Sequence, residues 1–274
     1  MKASVYAAIV TVIIIVAAAG VYWWTTSSYG EKNTKIVKEG EEISVRYYGY
    51  IYYGGERRVF DTNIRSVAED NQTYPKTLTF QRPSGFHPLN FTVGDGTMIK
   101  GFDLGVRGMK EGETKTIIVP PDLGYVFSWK QVKNYSLEEE VPQVENLTLE
   151  EFQKRTGEQN PGDNTVYRDK RYGWSVLVLA VNPSEDRVTI LNNPSEGESY
   201  TPYKNVSDFK VYVESIKNGI IHLRYVIEKL PILLPDGGII DKVWDGHFRI
   251  NYNKEVAGKT LYFVVTVISI KSSE

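Results

Sequence analysis

The sequence predicts an α+β protein that is rich in β-strands, with short helices and an N-terminal transmembrane helix. Three observations predict this class. Alternating apolar and polar residues mark several strands joined by tight turns. Residues 98–109 have helical periodicity, and residues 4–24 form an uncharged run. With 274 residues, the chain is long enough for one large domain or two modest ones.

The N-terminal run SVYAAIVTVIIIVAAAGVYWW is about long enough to cross a bilayer as a helix, with Trp23 and Trp24 at the interface. A cleavable signal peptide is the alternative, because Lys2 supplies a minimal basic region and residues 17–19 match an A-x-A cleavage site. We favour an uncleaved anchor over residues 1–25, since the tryptophan pair lies beyond that site. Residues 26–35 then form a linker.

The same segment bears on localisation. Lysines follow the span, and the rule that positive charges stay on the cytoplasmic side would keep the C-terminal part in the cytoplasm. Large domains, however, are translocated largely regardless of such charges. We therefore expect a single-pass cell-membrane protein with its folded domains outside the cytoplasm. Five N-x-S/T sequons agree with this, where roughly two are expected from composition. They lie at Asn71, Asn90, Asn134, Asn146 and Asn205.

Composition excludes several classes of function. The chain has no cysteine, so disulfides, thiolate catalysis and cysteine-ligated metals are excluded. Its three histidines, His87, His222 and His247, lie far apart, and we predict neither a metal site nor a cofactor. A net charge of -2 with interspersed signs offers no basic stripe for nucleic acid. A hydrolase is a remote alternative, because no Ser/His/Asp or paired-carboxylate arrangement stands out.

The first folded elements begin near Ile36. Residues 42–62 read as two strands around a Gly54-Gly55 turn, residues 63–87 have no clear period, and residues 89–94 form a strand. A short helix follows, and it contains Gly101, Gly105 and Gly108. Each glycine lowers helix stability by up to about 1 kcal/mol relative to alanine, so we expect that another part of the protein packs too closely on this helix for a side chain. Its apolar face comprises Ile99, Phe102, Val106 and Met109. Residues 113–121 form a strand that ends at a double proline.

The later elements have clear end signals. Thr148 and Glu151 form a capping box for a short helix that ends at Gly157. Residues 173–193 and 209–228 read as hairpins, the second with an Asn218-Gly219 turn. The last strand, residues 259–271, is apolar enough for a central position in the first sheet.

These motifs carry a resemblance to a known family. VGDGTMIKGFDLGVRGMKEGE, then TKTIIVPPDLGYV, resembles the FKBP pattern V-G-x-G-x-x-I-x-G-[WF]-[DE]-x-x-[LV]-x-G-M-x-x-G-E with a strand ending I-P-P-x-x-A-Y-G. Upstream, VRYYGYIYYGGERRVFDT is similar to V-x-Y-x-G-x-x-x-x-G-x-x-F-D-[ST], and AGKTLYFVVTVISI resembles the closing strand. FKBPs are peptidyl-prolyl cis-trans isomerases that need no cofactor.

The resemblance implies an FKBP-like antiparallel half-barrel packed on one short helix over residues 36–125 plus 253–274, with the β-rich residues 126–252 inserted. VPQVENLTLEEFQKRTGEQNPGDNTVY resembles the opening of the insert-in-flap chaperone domain of SlyD-like and long archaeal FKBPs. The insertion is longer than that pattern, and residues 201–244 have no counterpart in it. We expect a monomer that acts on unfolded or proline-containing polypeptides.

The resemblance also implies a cleft made of apolar residues. Phe102 would be its floor, Tyr125 and the Ile99 N–H would hold substrate carbonyls, and Asp61 matches a buried carboxylate that orients the amide or holds Tyr47. The remaining matched positions are Phe60, Leu89, Met98 and Phe263. Departures are a phenylalanine in place of the frequent floor tryptophan, Gly-Tyr-Val in place of Ala-Tyr-Gly, and Leu89 in place of an aromatic residue.

Two alternatives stay open. From spacing alone, the apolar members of this set are ordinary core, and Asp61 is a turn or cap residue. Separately, the sequons and the unmatched β-rich segment leave open a catalytically weak protein that uses its insertion as a docking module for a surface partner.

Overall fold

The computed structural model describes residues 35–271, which form two compact units. The first unit contains residues 35–74, 82–123 and 261–271, and the second contains residues 75–81 and 124–260. The predicted anchor and nearly all of the predicted linker lie outside the described residues. Within 35–271, no helix is both long and apolar enough to cross a membrane.

The first unit is a five-stranded antiparallel sheet with two short α-helices. Its elements are β1 (Glu42–Tyr53), β2 (Glu56–Thr62), α1 (Arg65–Glu69), β3 (Leu89–Thr92), α2 (Lys100–Val106), β4 (Thr114–Val119) and β17 (Leu261–Lys271). In the order β2-β1-β17-β4, β17 lies between β1 and β4, and this confirms its predicted central position. β3 pairs with the beginning of β1.

The sequence did not predict α1, because five residues are too short to establish a helical period. The long connection after it is divided between the units. Residues 75–81 belong to the second unit, where Glu255 accepts hydrogen bonds from the backbone of Leu78 and from Thr79.

The glycines of α2 are explained by the strand beneath them. A Cβ atom at Gly105 would overlap the side chain of Ile117, and one at Gly101 would overlap Val119. Both partners are buried residues of β4. The helix therefore lies on the sheet at a distance that only glycine permits, and the expected close approach is confirmed for these two positions. For Gly108 the expectation was wrong, because this residue lies beyond the end of α2, has a positive φ of 80° and has no atom within 4 Å of an added Cβ.

We expect Gly105→Ala to destabilise the protein. Alanine gains up to about 1 kcal/mol of helix propensity, but overpacking a filled core typically costs about 1–3 kcal/mol, so a net loss of roughly 1–2 kcal/mol is expected. Denaturant unfolding monitored by circular dichroism measures this loss. Leu104→Ala, on the exposed side of the same helix, should change stability by less than about 0.5 kcal/mol.

A double-mutant cycle identifies the source of that loss. Because Ile117→Ala removes the atoms that a new methyl group would meet, it should cost less in the Gly105→Ala background than in the wild type. Equal costs in the two backgrounds would show that the contact with Ile117 is not responsible.

The second unit contains three four-stranded antiparallel sheets and one α-helix. Its elements are β5 (Val132–Ser136), β6 (Glu138–Pro142), β7 (Val144–Leu147), α3 (Leu149–Thr156), β8 (Val166–Arg168), β9 (Ser175–Asn182), β10 (Arg187–Asn192), β11 (Ser199–Tyr200), β12 (Phe209–Lys217), β13 (Ile220–Ile227), β14 (Ile232–Leu233), β15 (Ile239–Trp244) and β16 (His247–Asn251). The sheets have the orders β7-β10-β9-β8, β11-β12-β13-β6 and β14-β15-β16-β5.

The predicted end signals of this unit are present. Thr148 accepts a hydrogen bond from the Glu151 N–H, the Glu151 carboxylate accepts one from the Thr148 N–H, and Gly157 adopts a left-handed conformation at the end of α3. Asn218 and Gly219 both have positive φ, which is typical of a type I′ hairpin turn between β12 and β13.

Residues 201–244, which have no counterpart in the family pattern, are shared between two sheets. β12 pairs with β11 and β13, and β13 also pairs with β6, whereas β15 pairs with both β14 and β16. Two apolar cores result. One is built around Trp174, Phe152 and Ile221, and the other around Phe209, Ile240 and Phe248.

Candidate active site

An aromatic cluster lies between α2 and the first sheet. The Phe102 ring centroid is 5.0 Å from that of Phe263 and 5.8 Å from that of Tyr47, both in edge-to-face contacts. Phe60 contacts Phe263 at 5.4 Å. Phe102 and Phe263 are buried, whereas Tyr47 and Phe60 are half-buried, so the cluster has a dry floor and a partly accessible rim. The structure thus brings together four of the predicted residues.

A β-bulge lets two consecutive residues contribute to this cluster. Gly49 pairs with Asp61 and Tyr50 pairs with Val59, so Phe60 is the extra residue of β2. Side chains of successive residues in an unbroken strand point to opposite faces. Here the Phe60 ring contacts Phe263 while the Asp61 carboxylate reaches Tyr47, because the bulge redirects the strand locally.

Gly49 makes room for these rings. A Cβ atom at this position would lie 2.6 Å from the Phe60 ring and 2.8 Å from the Phe263 ring. Gly49 was present in the quoted strand motif but was not predicted as part of the site. Phe91 was also missed; its ring is buried and lies 5.9 Å from Phe102. Its position in an alternating strand predicts a core residue, but it does not predict a place in the site.

The Tyr47 hydroxyl donates a hydrogen bond of 2.7 Å to Asp61 Oδ2. Asp61 itself is exposed, so the expectation of a buried carboxylate was wrong. The reason is its position on β2, which is an edge strand of the sheet. The hydrogen bond therefore joins the half-buried Tyr47 side chain to a carboxylate that is exposed to solvent.

Ile99 is the N-cap residue of α2, and Met98 precedes it. N–H groups at the start of a helix have no partner within that helix, which suits the predicted role of the Ile99 N–H as a donor to substrate. Met98, Ile99 and Leu89 of β3 are all half-buried. Their predicted contact with substrate stays a prediction.

Tyr125 belongs to the second unit. Its carbonyl accepts a hydrogen bond of 2.8 Å from the Gly258 N–H, and the Lys254 ammonium lies 4.3 Å from the centre of its ring. The predicted role of its hydroxyl toward a substrate carbonyl stays a prediction.

Asp103 is a buried acid that sequence reasoning did not single out. It accepts a hydrogen bond of 2.7 Å from the Gly94 N–H and pairs with Arg107 at 2.8 Å. These contacts join the turn after β3 to α2 and so fix the segment that carries Met98 and Ile99. Among residues 35–271, no group of histidine and acidic side chains is arranged to hold a metal ion.

Comparisons with known proteins find related sequences over part of the chain. A model of the family described as FKBP-type peptidyl-prolyl cis-trans isomerase matches residues 33–150. The short-type peptidyl-prolyl cis-trans isomerase of Methanocaldococcus jannaschii is 34% identical over 90 residues, which cover 33% of this chain and 51% of that protein.

Two further relatives are eukaryotic. Peptidyl-prolyl cis-trans isomerase FKBP53 of Arabidopsis thaliana is 34% identical over 98 residues, covering 36% of this chain and 16% of the relative. FK506-binding protein 2 of Dictyostelium discoideum is 33% identical over 88 residues, covering 32% and 50%. The chain thus spans about half or less of the length of these relatives. It contains an FKBP-type peptidyl-prolyl cis-trans isomerase domain, matched over residues 33–150.

Proposed function

We propose that the chain catalyses cis-trans isomerisation of X-Pro bonds at the aromatic cluster of the first unit. The observation that carries this proposal is the buried Phe102 and Phe263 floor beside the Tyr47–Asp61 pair. The named relatives support it. The substrates are proline-containing segments of polypeptides.

The chemistry requires no nucleophile. Rotation about the amide has a barrier of about 18–20 kcal/mol, because the twisted amide loses conjugation. Uncatalysed exchange takes tens to hundreds of seconds. A dry surface favours the twisted amide, since removing water withdraws the hydrogen bonds that stabilise the more polar planar form. Apolar rings are therefore suitable catalytic groups.

The Tyr47–Asp61 pair allows two roles to be separated. If Asp61 acts directly on the amide, Asp61→Asn should lower kcat/KM for a short X-Pro peptide about tenfold, corresponding to about 1.4 kcal/mol, while Tyr47→Phe has a smaller effect. If Asp61 acts by holding Tyr47, Asp61→Asn should retain most of the activity, because its amide oxygen can still accept the hydrogen bond from the Tyr47 hydroxyl, whereas Tyr47→Phe should be impaired. Catalysed relaxation of the peptide between its isomers, followed spectroscopically with residues 27–274, measures both.

A matched control is Glu56→Gln, which changes an exposed carboxylate on the same strand. It should leave kcat/KM unchanged. Wild-type activity no higher than that of both Asp61→Asn and Tyr47→Phe would contradict a catalytic role for this pair. It would favour the alternative that the chain binds a surface partner through its insertion.

The second unit adds a chaperone function to this proposal. Its relation to the insert-in-flap domain is supported by the capped helix α3 after β7. Holding an unfolded chain there would raise its effective concentration at the isomerase domain. Suppression of client aggregation by residues 27–274 is the expected result, and a lack of suppression would remove this half of the proposal.

The predicted anchor places these activities at a membrane. Residues 1–25 would hold the folded units outside the cytoplasm, where the chain would act as a monomer on exported or surface proteins. All five sequon asparagines are exposed, including Asn90, which supports this assignment. Protease protection of the full chain in sealed membranes tests it, since external protease should digest both units of a chain with this orientation.

A further inference from the structure

A cavity of about 650 Å³ lies within the second unit, in a different unit from the aromatic cluster. Pockets of about 300–1,000 Å³ accommodate small molecules or a few side chains. Its wall draws on β5, β6, α3, β12, β13 and β16, together with the loops near residues 170, 203 and 234. Several of these elements lie in residues 201–244, which have no counterpart in the FKBP pattern.

One side of the cavity is a continuous aromatic wall. Phe209 stacks on Tyr225 at 5.6 Å with an interplanar angle of 4°, and Phe248 contacts both rings at 5.3 to 5.9 Å. Tyr135 stacks on the other edge of Phe248 at 5.4 Å. Tyr203 extends the wall next to Phe209. Such a surface suits a large apolar or aromatic side chain.

The wall is held in place by a carboxylate. Glu139 accepts hydrogen bonds from the hydroxyls of Tyr225, at 2.6 Å, and Tyr172, at 2.9 Å. Burial and the nearby Glu139 carboxylate raise the pKa of Tyr225, so its hydroxyl stays protonated and remains a donor. Arg171 donates to the same carboxylate at 2.6 Å. A binding surface with fixed rings loses little conformational freedom when a ligand arrives.

The charged residues that line the cavity are mainly basic. The charges of Arg155 and Arg171 are offset by buried or adjacent carboxylates, and Lys154 pairs with Glu150. Lys170 differs from these three. It is exposed, it lines the cavity, and within residues 35–271 it forms no ion pair. The cavity lining therefore combines an aromatic wall with an exposed positive charge that has no ion-pair partner among residues 35–271.

We propose that this cavity binds a segment of an unfolded polypeptide in which a large aromatic or apolar residue is followed by an acidic residue. The apolar side chain would fill the aromatic wall, and the carboxylate would pair with Lys170. The proposal rests on the proposed chaperone function and specifies the sequence that the second unit selects. It does not depend on the isomerase cleft.

Two fluorescein-labelled peptides without proline test this selection. They share one sequence except that a central phenylalanine is followed by aspartate in one and by lysine in the other. Fluorescence anisotropy with the full chain in lipid nanodiscs should show at least tenfold tighter binding of the aspartate peptide. Equal affinities, or a preference for lysine, would overturn the proposal.

Matched variants assign the preference to the cavity. Lys170→Glu should abolish or reverse the discrimination, whereas Lys217→Glu, the same charge change on an exposed residue outside the cavity, should preserve it. Tyr135→Ala, a partly exposed residue of the wall, should weaken both peptides at least fivefold. Retained discrimination in Lys170→Glu would overturn the assignment, and circular dichroism checks that each variant is folded.

Failure of this proposal can be distinguished from failure of the proposed function. If the wild type suppresses client aggregation but the cavity variants suppress it equally well, the chaperone function stands and the cavity is not its client site. If the wild type does not suppress aggregation, the chaperone function itself fails. The X-Pro assay reports on the isomerase cleft in either case.

Discussion

Phe102→Ala is expected to reduce isomerase activity roughly ten- to hundredfold and to destabilise the first unit. Burying an apolar group the size of a proline ring stabilises a complex by about 1.5–3 kcal/mol. Without the Phe102 ring, the transition state loses this stabilisation, and the rate falls by the factor given above. The Phe102 ring is 3% exposed and contacts Phe263, Tyr47 and Phe91. Truncating such a ring typically costs about 3–5 kcal/mol of stability.

The two effects must be measured separately. Activity is compared on protein that circular dichroism shows to be folded, at a temperature well below the unfolding midpoint of the variant. Phe102→Trp is the conservative partner, since tryptophan is frequent at this position in FKBPs and keeps the floor apolar. We expect it to retain most of the activity. Full activity in folded Phe102→Ala would show that Phe102 is only a core residue.

The first unit was predictable from sequence because its signals are local. The Gly54-Gly55 turn, the periodicity of α2 and the double proline after β4 each specify an element without reference to distant residues. The apolar final strand required a partner on both sides, which led to its central position. α1 lacked such a signal, because five residues do not complete two helical turns.

The candidate site was predictable only in part. Residue types and order placed Tyr47, Phe60, Phe102 and Phe263 together. The exposure of Asp61 depends on which strand is at the edge of the sheet, and the contribution of both Phe60 and Asp61 depends on a bulge. Neither feature has a clear sequence signature. Gly49 was visible as a motif residue, but its purpose appears only when the two rings beside it are placed.

The cavity of the second unit could not be predicted at all. Its lining residues come from separate strands, one helix and several loops, and no two of the wall aromatics Tyr203, Phe209, Tyr225 and Phe248 lie within five residues of each other in the chain. Hairpin signals such as Asn218-Gly219 predict neighbouring strands, but they do not predict how one sheet packs on another. Long-range packing is therefore the information that the structure adds.

The second large effect is expected for Asp169→Ala in the second unit. Asp169 is fully buried and accepts hydrogen bonds from Arg155 Nε, at 2.8 Å, and Arg155 Nη2. It also accepts one from the backbone of Arg171 at 2.7 Å. Burial alone would lower the pKa of Arg155, and the adjacent carboxylates of Asp169 and Glu145 more than offset this, so its pKa stands above the usual value.

Removing one partner of a buried ion pair typically costs about 3–5 kcal/mol, because the other charge stays buried without full compensation. Glu145 remains within 2.9 Å of Arg155 after the substitution, so we expect a loss near the lower end of that range, about 3 kcal/mol. Denaturant unfolding followed by tryptophan fluorescence reports on this core, because Trp174 is buried in it. The Trp174 indole donates to Asn192, which is itself a partner of Arg155.

An exposed ion pair on α3, the helix that also contains Arg155, provides the comparison. Glu150 and Lys154 are each more than 70% exposed and pair at the surface of α3, so Glu150→Ala should cost less than about 1 kcal/mol. The two substitutions remove the same charge within one unit, and burial is the main difference between them. A cost for Asp169→Ala as small as that for Glu150→Ala would mean that Arg155 finds a new partner or water without loss. The network would then not hold α3 to the strands beside it.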